Sequence, residues 1–267
     1  MITCWREDGL LQPETALASW RQWSTGLHSQ PLILEQLGGG RSNDSFLLES
    51  NLGKLVLRLN GPDSLLPDTR RHIETETWQL ASANSIAPPL LHVDQDHRFL
   101  VCRYIENSLP SKPPFDDVYI GLAFDLLKRC HQLEINMPEI NYAKHIGKYW
   151  QRLEFSKQPS RPDLMDRRQP MQEILEELII SDPNTGLCHH DPVIGNFVGN
   201  TSRLYLIDWE YAARGLVIMD FAALAVEWAL DDAMVIQYTG VSSASLGKAT
   251  MLYRYTCDLW GELTASR

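Results

Sequence analysis

The apolar positions of this chain change period along its length, and the changes divide it. Residues 13–24 set Ala16, Leu17, Trp20 and Trp23 at i, i+3, i+4 spacing behind Pro13, which predicts a helix with proline in its first turn. From Leu32 the period falls to two. Leu32 to Leu37, Ser45 to Glu49 and Lys54 to Leu59 read as strands, separated by turns at Gly38-Gly39-Gly40 and Asn51-Leu52-Gly53. Two such short connections in succession predict an antiparallel sheet. Residues 68–83 return to helical spacing through Ile73, Trp78, Leu80 and Ala81, and Ala87-Pro88-Pro89 ends that helix. Leu90 to Val93 and Arg98 to Tyr104 read as two more strands. Helical patterns then dominate, at 116–134, 143–156, 166–180, 218–230 and 246–263. Short apolar runs at Leu187 to His189 and Leu204 to Ile207 flank a loop among them. The order predicts a two-lobed α+β protein, with a β-rich N-lobe over 1–105 and a mostly helical C-lobe over 106–267. A cleft between lobes is where a ligand is expected.

Composition narrows the class. The chain has 267 residues, 44% hydrophobic and 22% charged, which is ordinary for a globular protein with a real core. Its 24 basic and 34 acidic side chains give a net charge of −10, which argues against a nucleic-acid partner and suits a cationic small substrate. The five cysteines lie far apart with no CxxC pair, so a zinc ribbon is excluded and free thiols in a reducing cytosol are expected. No basic segment followed by an apolar run opens the chain. The most apolar stretch, Gly215 to Leu230, is interrupted by Asp220 and Glu227, so a cytoplasmic protein with no membrane span is expected.

The most informative segment is His189-His190-Asp191-Pro192-Val193-Ile194-Gly195-Asn196, followed by Leu204-Tyr205-Leu206-Ile207-Asp208-Trp209-Glu210. It reads H-x-D-x-x-x-x-N, then an Asp at the end of an apolar strand. Phosphoryl transfer from ATP needs such a set: one carboxylate to accept the proton of the attacking hydroxyl, and an amide oxygen and a second carboxylate to hold Mg²⁺ on the phosphates. Asp191 is then the base, and Asn196 and Asp208 the metal ligands. Protein kinases carry Arg at the position of His190 and Phe-Gly after the second Asp, so this is not a protein kinase in the strict sense. A loop cluster capping a helix, or a metallohydrolase using His189, His190 and Asp191 as ligands, is the rival reading.

Two N-terminal features fit the same chemistry. The loop Gly38 to Phe46 lies between two strands, where glycine lets the backbone approach phosphates; Gly39, Gly40, Ser42 and Asn43 are the candidate ATP contacts. It is neither a Walker A loop nor a Rossmann fingerprint, and a plain hairpin turn is its alternative. Arg58 ends a strand, where a kinase places a phosphate-contacting cation held by a Glu of the next helix. Glu74 and Glu76 are the choices, and their offset of two turns only one of them toward Arg58; Glu74 is preferred.

With these residues in place, the chain resembles the aminoglycoside phosphotransferase/choline kinase superfamily over most of its length. The loop Gly39 to Phe46, the strand ending in Arg58, His189 to Asn196, and Ile207-Asp208-Trp209-Glu210-Tyr211-Ala212 carry the resemblance. It implies a protein-kinase-like fold, ATP, Mg²⁺ and a small alcohol as acceptor. In Asp220 to Trp228, the resemblance implies that Asp220 and His189 support the catalytic loop. It also implies that Glu227, with Glu210 and Trp228, meets a cationic acceptor, as carboxylates and aromatic faces do. Asn60-Gly61-Pro62-Asp63, Tyr149-Trp150-Gln151 and the chain length resemble thiamine kinases, so thiamine is the first acceptor expected. Choline or ethanolamine is next, then an aminoglycoside, and a catalytically degenerate binding protein is the non-enzyme alternative. Oligomeric state is not legible.

Overall fold

The computed structural model of the protein describes residues 11–23, 26–38, 43–61, 71–155 and 162–265. The chain divides into two compact units, one of Met1–Asn107 with Tyr205–Glu210, the other of Ser108–Leu204 with Tyr211–Arg267. The segment Tyr205–Glu210, which chain order assigns to the C-terminal part, thus belongs to the N-terminal unit.

The N-terminal unit opens with α1 (Pro13–Ala18), then a 3₁₀ turn at Trp20–Gln22. The single helix expected over 13–24 is broken at Ser19. Its Oγ donates to the Ala16 carbonyl at 2.7 Å and accepts from Trp23 Nε1 at 3.1 Å, a local alternative to helical bonding. Strands β1 (Leu32–Leu37), β2 (Asn43–Glu49), β3 (Leu55–Asn60), β4 (Leu90–Val93) and β5 (Phe99–Arg103) form an antiparallel sheet in the order β1-β2-β3-β5-β4. Helix α2 (Arg71–Ala83) falls between β3 and β4 in the chain.

Strand alternation explains where Arg58 lies. Leu55, Leu57 and Leu59 of β3 join Phe46, Leu48, Phe99 and Val101 in one apolar cluster with Leu17, Trp20 and Trp23. The period of two sends Arg58 to the opposite face, where it is nonetheless buried. Ser45 on β2 and Leu100 on β5 flank it in register.

The second unit is mostly helical. Helix α3 (Asp117–His131) starts at Asp116, whose carboxylate accepts from the Val118 amide at 2.9 Å. Helices α4 (Tyr142–Phe155) and α5 (Pro162–Ser181) follow. Strand β6 (Thr185–Cys188) leads into the loop of interest, β7 (Phe197–Asn200) pairs with β8 (Arg203–Leu206), whose last two residues begin the segment of the N-terminal unit, and β9 (Ala213–Leu216) pairs antiparallel with β6. Helices α6 (Val217–Glu227), α7 (Asp232–Thr239) and α8 (Ser243–Ala265) complete the unit. Helix α8 packs on α4, α5, α6 and α7 through Leu246, Ala249, Leu252, Tyr255 and Leu259, a helical stripe of buried residues. The sequence pattern did not predict β7, β9 and α7, because four to eight residues are too few to declare a period. Among the described residues, no helix is long and apolar enough to cross a membrane.

Candidate active site

In the N-terminal unit the charged residues converge on Arg58. Its Nε donates to Asn60 Oδ1 at 3.0 Å, one terminal nitrogen donates to Asp208 Oδ1 at 3.2 Å, and the other is ion-paired with Glu74. The guanidinium also sits over the Trp78 ring, 5.1 Å from its centroid. Glu74 is 2% exposed, whereas Glu76, two positions on, faces solvent. Burial pushes the Glu74 carboxyl up, but Arg58 and Arg71 more than offset it, and the group titrates below its ordinary range. Burial likewise opposes the Arg58 charge, and Glu74, Asp208 and Glu210 together raise its pKa above the usual value.

Arg71, a residue no sequence motif singled out, completes the array. It donates to Glu74 Oε2 at 2.8 Å and to the Gly61 carbonyl at 3.2 Å, and lies 3.8 Å from Glu210 Oε2. Its only sequence signal is the offset of three from Glu74, which puts both on one face of α2.

Glu210 departs from its expected role. Its side chain is 7% exposed, approached by Arg71 and by Asn43 Nδ2 at 3.4 Å, so it belongs to this buried charge array rather than to an open acceptor wall. Burial first, then the charges of Asp208 and Glu74, push its carboxyl up to about 7. Asn43, the first residue of β2, also accepts from the Gly61 amide at 3.4 Å. Gly39, Gly40 and Ser42 lie outside the described residues. Asp208 follows β8 with a left-handed φ of 64°, and its side chain keeps 30% exposure, more than its neighbours in the array.

In the second unit the loop after β6 is held from below by Asp220 of α6. Its two carboxylate oxygens accept the backbone amides of His189 and His190, each at 2.8 Å, and His131 Nε2 lies 2.9 Å from Oδ2. Burial alone would raise the Asp220 carboxyl; the hydrogen bond and charge of His131, with His190 and His189, hold it down at about 2. His190 adopts a left-handed φ of 63°, and burial pushes its ring down to about 4. Asp191 is half-buried. Asn196 Nδ2 donates at 2.9 Å to both the Asp191 carbonyl and its Oδ2, and the Asn196 amide nitrogen donates to the Val193 carbonyl at 2.9 Å. The five-residue offset of Asp191 and Asn196 thus closes a compact turn, with the amide oxygen of Asn196 left to accept.

Glu227, at the end of α6, accepts from the Tyr253 hydroxyl of α8 at 2.9 Å. The Cys257 thiol, one helical turn from Tyr253, is pushed up to about 11, by burial first and then by the charges of Glu227, Asp191 and Asp258 despite the bond from Tyr253. Trp228, expected beside a cationic acceptor, lies in the core instead. It is 1% exposed and packs against Phe115 and Phe197, with ring centroids at 4.4 Å and 5.0 Å, so it is core rather than acceptor wall. Tyr253, the described partner of the Glu227 carboxylate, was not among the residues expected from the sequence.

The hydrolase alternative finds no support. Among the described residues, the one grouping of metal-binding side chains is His131, Cys188 and Asp220. It is not the expected set of His189, His190 and Asp191. Burial holds the Cys188 thiol well above its ordinary range, and Asp220 is already committed to two amides and His131.

A family model described as the phosphotransferase enzyme family matches residues 33–245. Protein LicA of Haemophilus influenzae is 26% identical over 209 residues, covering 75% of this chain and 60% of that protein. A LicA homolog of Mycoplasma capricolum subsp. capricolum is 24% identical over 139 residues, covering 52% of this chain and 54% of its own length. This chain therefore spans little more than half the length of these curated relatives. The crystal structure of choline kinase LicA from Streptococcus pneumoniae superposes with a TM-score of 0.75 at 22% identity, covering 95% of this chain and 92% of that one. A structure of LicA in complex with AMP gives 0.68 at 22% identity, covering 91% and 88%. These structural likenesses show the fold: protein-kinase-like, with a β-rich N-terminal unit and a helical C-terminal one.

Proposed function

The chain belongs to the phosphotransferase enzyme family, and from that premise we propose that it transfers the γ-phosphate of ATP to a hydroxyl of a small cationic alcohol, choline first. The observation that carries this reading is the Asp191 turn. Asn196 holds the Asp191 carboxylate at 2.9 Å, and the backbone just before it is fixed by Asp220.

In this reading the acceptor O–H gives its proton to Asp191, its oxygen bonds to the γ-phosphorus, and the bond to the departing ADP oxygen breaks. Arg58, pre-set by Glu74 and Asn60, neutralises phosphate charge on the nucleotide side. Asp208, whose carboxylate is partly exposed, and Asn196, through its amide oxygen, each offer the kind of oxygen ligand that Mg²⁺ prefers; the ion would supply further neutralisation of the phosphates. Little covalent chemistry falls to the protein, so positioning and charge account for most of the rate. Glu227, oriented by Tyr253, recognises the cationic nitrogen.

The names of the relatives favour choline over thiamine, the acceptor expected first. Tyr149 and Trp150, which suggested thiamine, are 4% and 2% exposed, so that string serves packing. The test is ADP release with choline, ethanolamine, thiamine and an aminoglycoside in parallel, with a nucleotide-free arm. ATP-dependent phosphorylation of choline is expected, and Asp191→Asn and Asp208→Ala are expected to abolish it while the chain stays folded. Product without ATP would favour hydrolysis. No ATP-dependent product with any acceptor would favour a degenerate binding protein.

A further inference from the structure

The side chain of His190 poses a hydrogen-bonding question that only one arrangement answers. Its Nε2 lies 2.9 Å from the Tyr142 hydroxyl of α4, and that hydroxyl accepts the Leu216 backbone N–H at 3.0 Å. Its Nδ1 is buried and without a partner among the described residues. If Nε2–H donated to the hydroxyl, the Tyr142 proton would have no acceptor and the Nδ1 lone pair no donor, leaving two buried groups unmet. If Tyr142 donates to Nε2, one unmet group remains, the Nδ1–H. The second arrangement leaves fewer buried polar groups unpaired. It also requires a neutral ring, in keeping with a pKa held near 4 by burial against the pull of Asp220, with His145, His189 and His131 also lowering it.

The backbone gives this contact its consequence. His190 is left-handed at φ 63°, a conformation rare outside glycine and asparagine, and Asp191 is the next residue. Asp220 fixes the His190 amide, and Tyr142 is the described partner of its ring. Space for the pair is reserved by Gly215 on β9: a Cβ there would meet Tyr142 Oη at 2.5 Å and His190 Nε2 at 2.8 Å.

We propose that Tyr142 is a positioning residue for the reaction, its hydroxyl donating to His190 Nε2 and so holding the left-handed turn that aims the Asp191 carboxylate. The proposal rests on the phosphotransferase reading for its kinetic arm only.

The test combines kinetics with histidine ¹⁵N NMR. Tyr142→Phe is expected to lower kcat about tenfold or more while KM for ATP stays within about twofold, since a misaimed group costs turnover rather than nucleotide binding. In a His190→Asn background, where asparagine tolerates the same φ, Tyr142→Phe is expected to change kcat by less than about twofold. In the wild-type protein the His190 proton is expected on Nδ1, and Tyr142→Phe is expected to shift it toward Nε2. A kcat within twofold of wild type, an equal loss in both backgrounds, or a wild-type ring protonated on Nε2 would each overturn the proposal. A wild-type chain without phosphotransfer would instead overturn the functional reading, and the tautomer measurement decides the Tyr142 bond without any turnover.

Discussion

Replacing Arg71 by methionine removes one of two cations from a buried array that holds three carboxylates. Arg71 is 8% exposed and Glu74 is 2% exposed, so neither group is rescued by water. Removing one partner of a buried pair leaves the other charge uncompensated, at a cost of about 3–5 kcal/mol. Two features of the array hold the loss to the lower end. Glu74 keeps its ion pair with Arg58. Glu210, already pushed up to about 7, can take a proton cheaply near neutral pH. The expected loss is therefore about 3 kcal/mol, or a fall of roughly 1–2 M in the urea midpoint for an ordinary slope. Arg71→Lys keeps the charge but not the fork that reaches both Glu74 and the Gly61 carbonyl, and is expected to lose roughly half as much. The chain has two units, so the readout is hydrogen exchange of β3 and β5 amides in urea rather than one global curve. Glu74 titrates below its ordinary value of 4.5, so its paired stabilisation is present above 4.5 and lost as pH falls through its folded pKa. The gap between wild type and Arg71→Met should accordingly be widest near pH 7 and narrow in acid. A loss under about 1 kcal/mol at pH 7 would refute the view that Arg71 is a required member of the array.

Three further outcomes can be measured. His190 titrates near 4 when folded against an ordinary 6.5, so the unfolded chain binds its proton first; stability should fall as pH drops from 6.5 toward 4. The full depression is worth about 3 kcal/mol, and His190→Asn should flatten that part of the pH profile in urea titrations; an unchanged slope would count against it. Gly199 has φ +140°, and a Cβ there would lie 2.1 Å from the Arg203 carbonyl oxygen, so Gly199→Ala should destabilise the β7–β8 hairpin by more than about 2 kcal/mol, read as lost amide protection in that hairpin. Glu227→Gln should raise KM for a cationic acceptor about tenfold and leave KM for ATP unchanged, and a matching rise in both would remove Glu227 from the acceptor side.

Much of the site was legible because its chemistry is local in sequence. Asp191 and Asn196 meet within one turn, and the apolar strand before Asp208 delivers that carboxylate near its end, so spacing read against the kinase pattern made all three candidates. The alternation of Leu55, Leu57 and Leu59 put Arg58 on the other face of β3, and the offset of Glu74 from Glu76 allowed just one of them to turn toward it. Length and composition set the class, a globular protein with a core and an acidic balance that disfavours a nucleic-acid partner, but pointed to none of these residues.

Where contacts join distant segments, the sequence held no period to read. Arg71 and Glu210 are far apart in the chain, and only the return of Tyr205–Glu210 to the N-terminal unit brings them to 3.8 Å. That return moved Glu210 from the expected acceptor wall into a buried charge array. Trp228 carried the same helical spacing whether it faced a ligand or a core, and packing against Phe115 and Phe197 decided for the core. Tyr142 had no motif at all. Its role depends on α4, β9 and the loop after β6 meeting at one hydroxyl, with a glycine keeping the space open. Local spacing determines which groups can act together along one turn; burial, and so the charge and proton each group carries, is set only when distant elements exclude water around it.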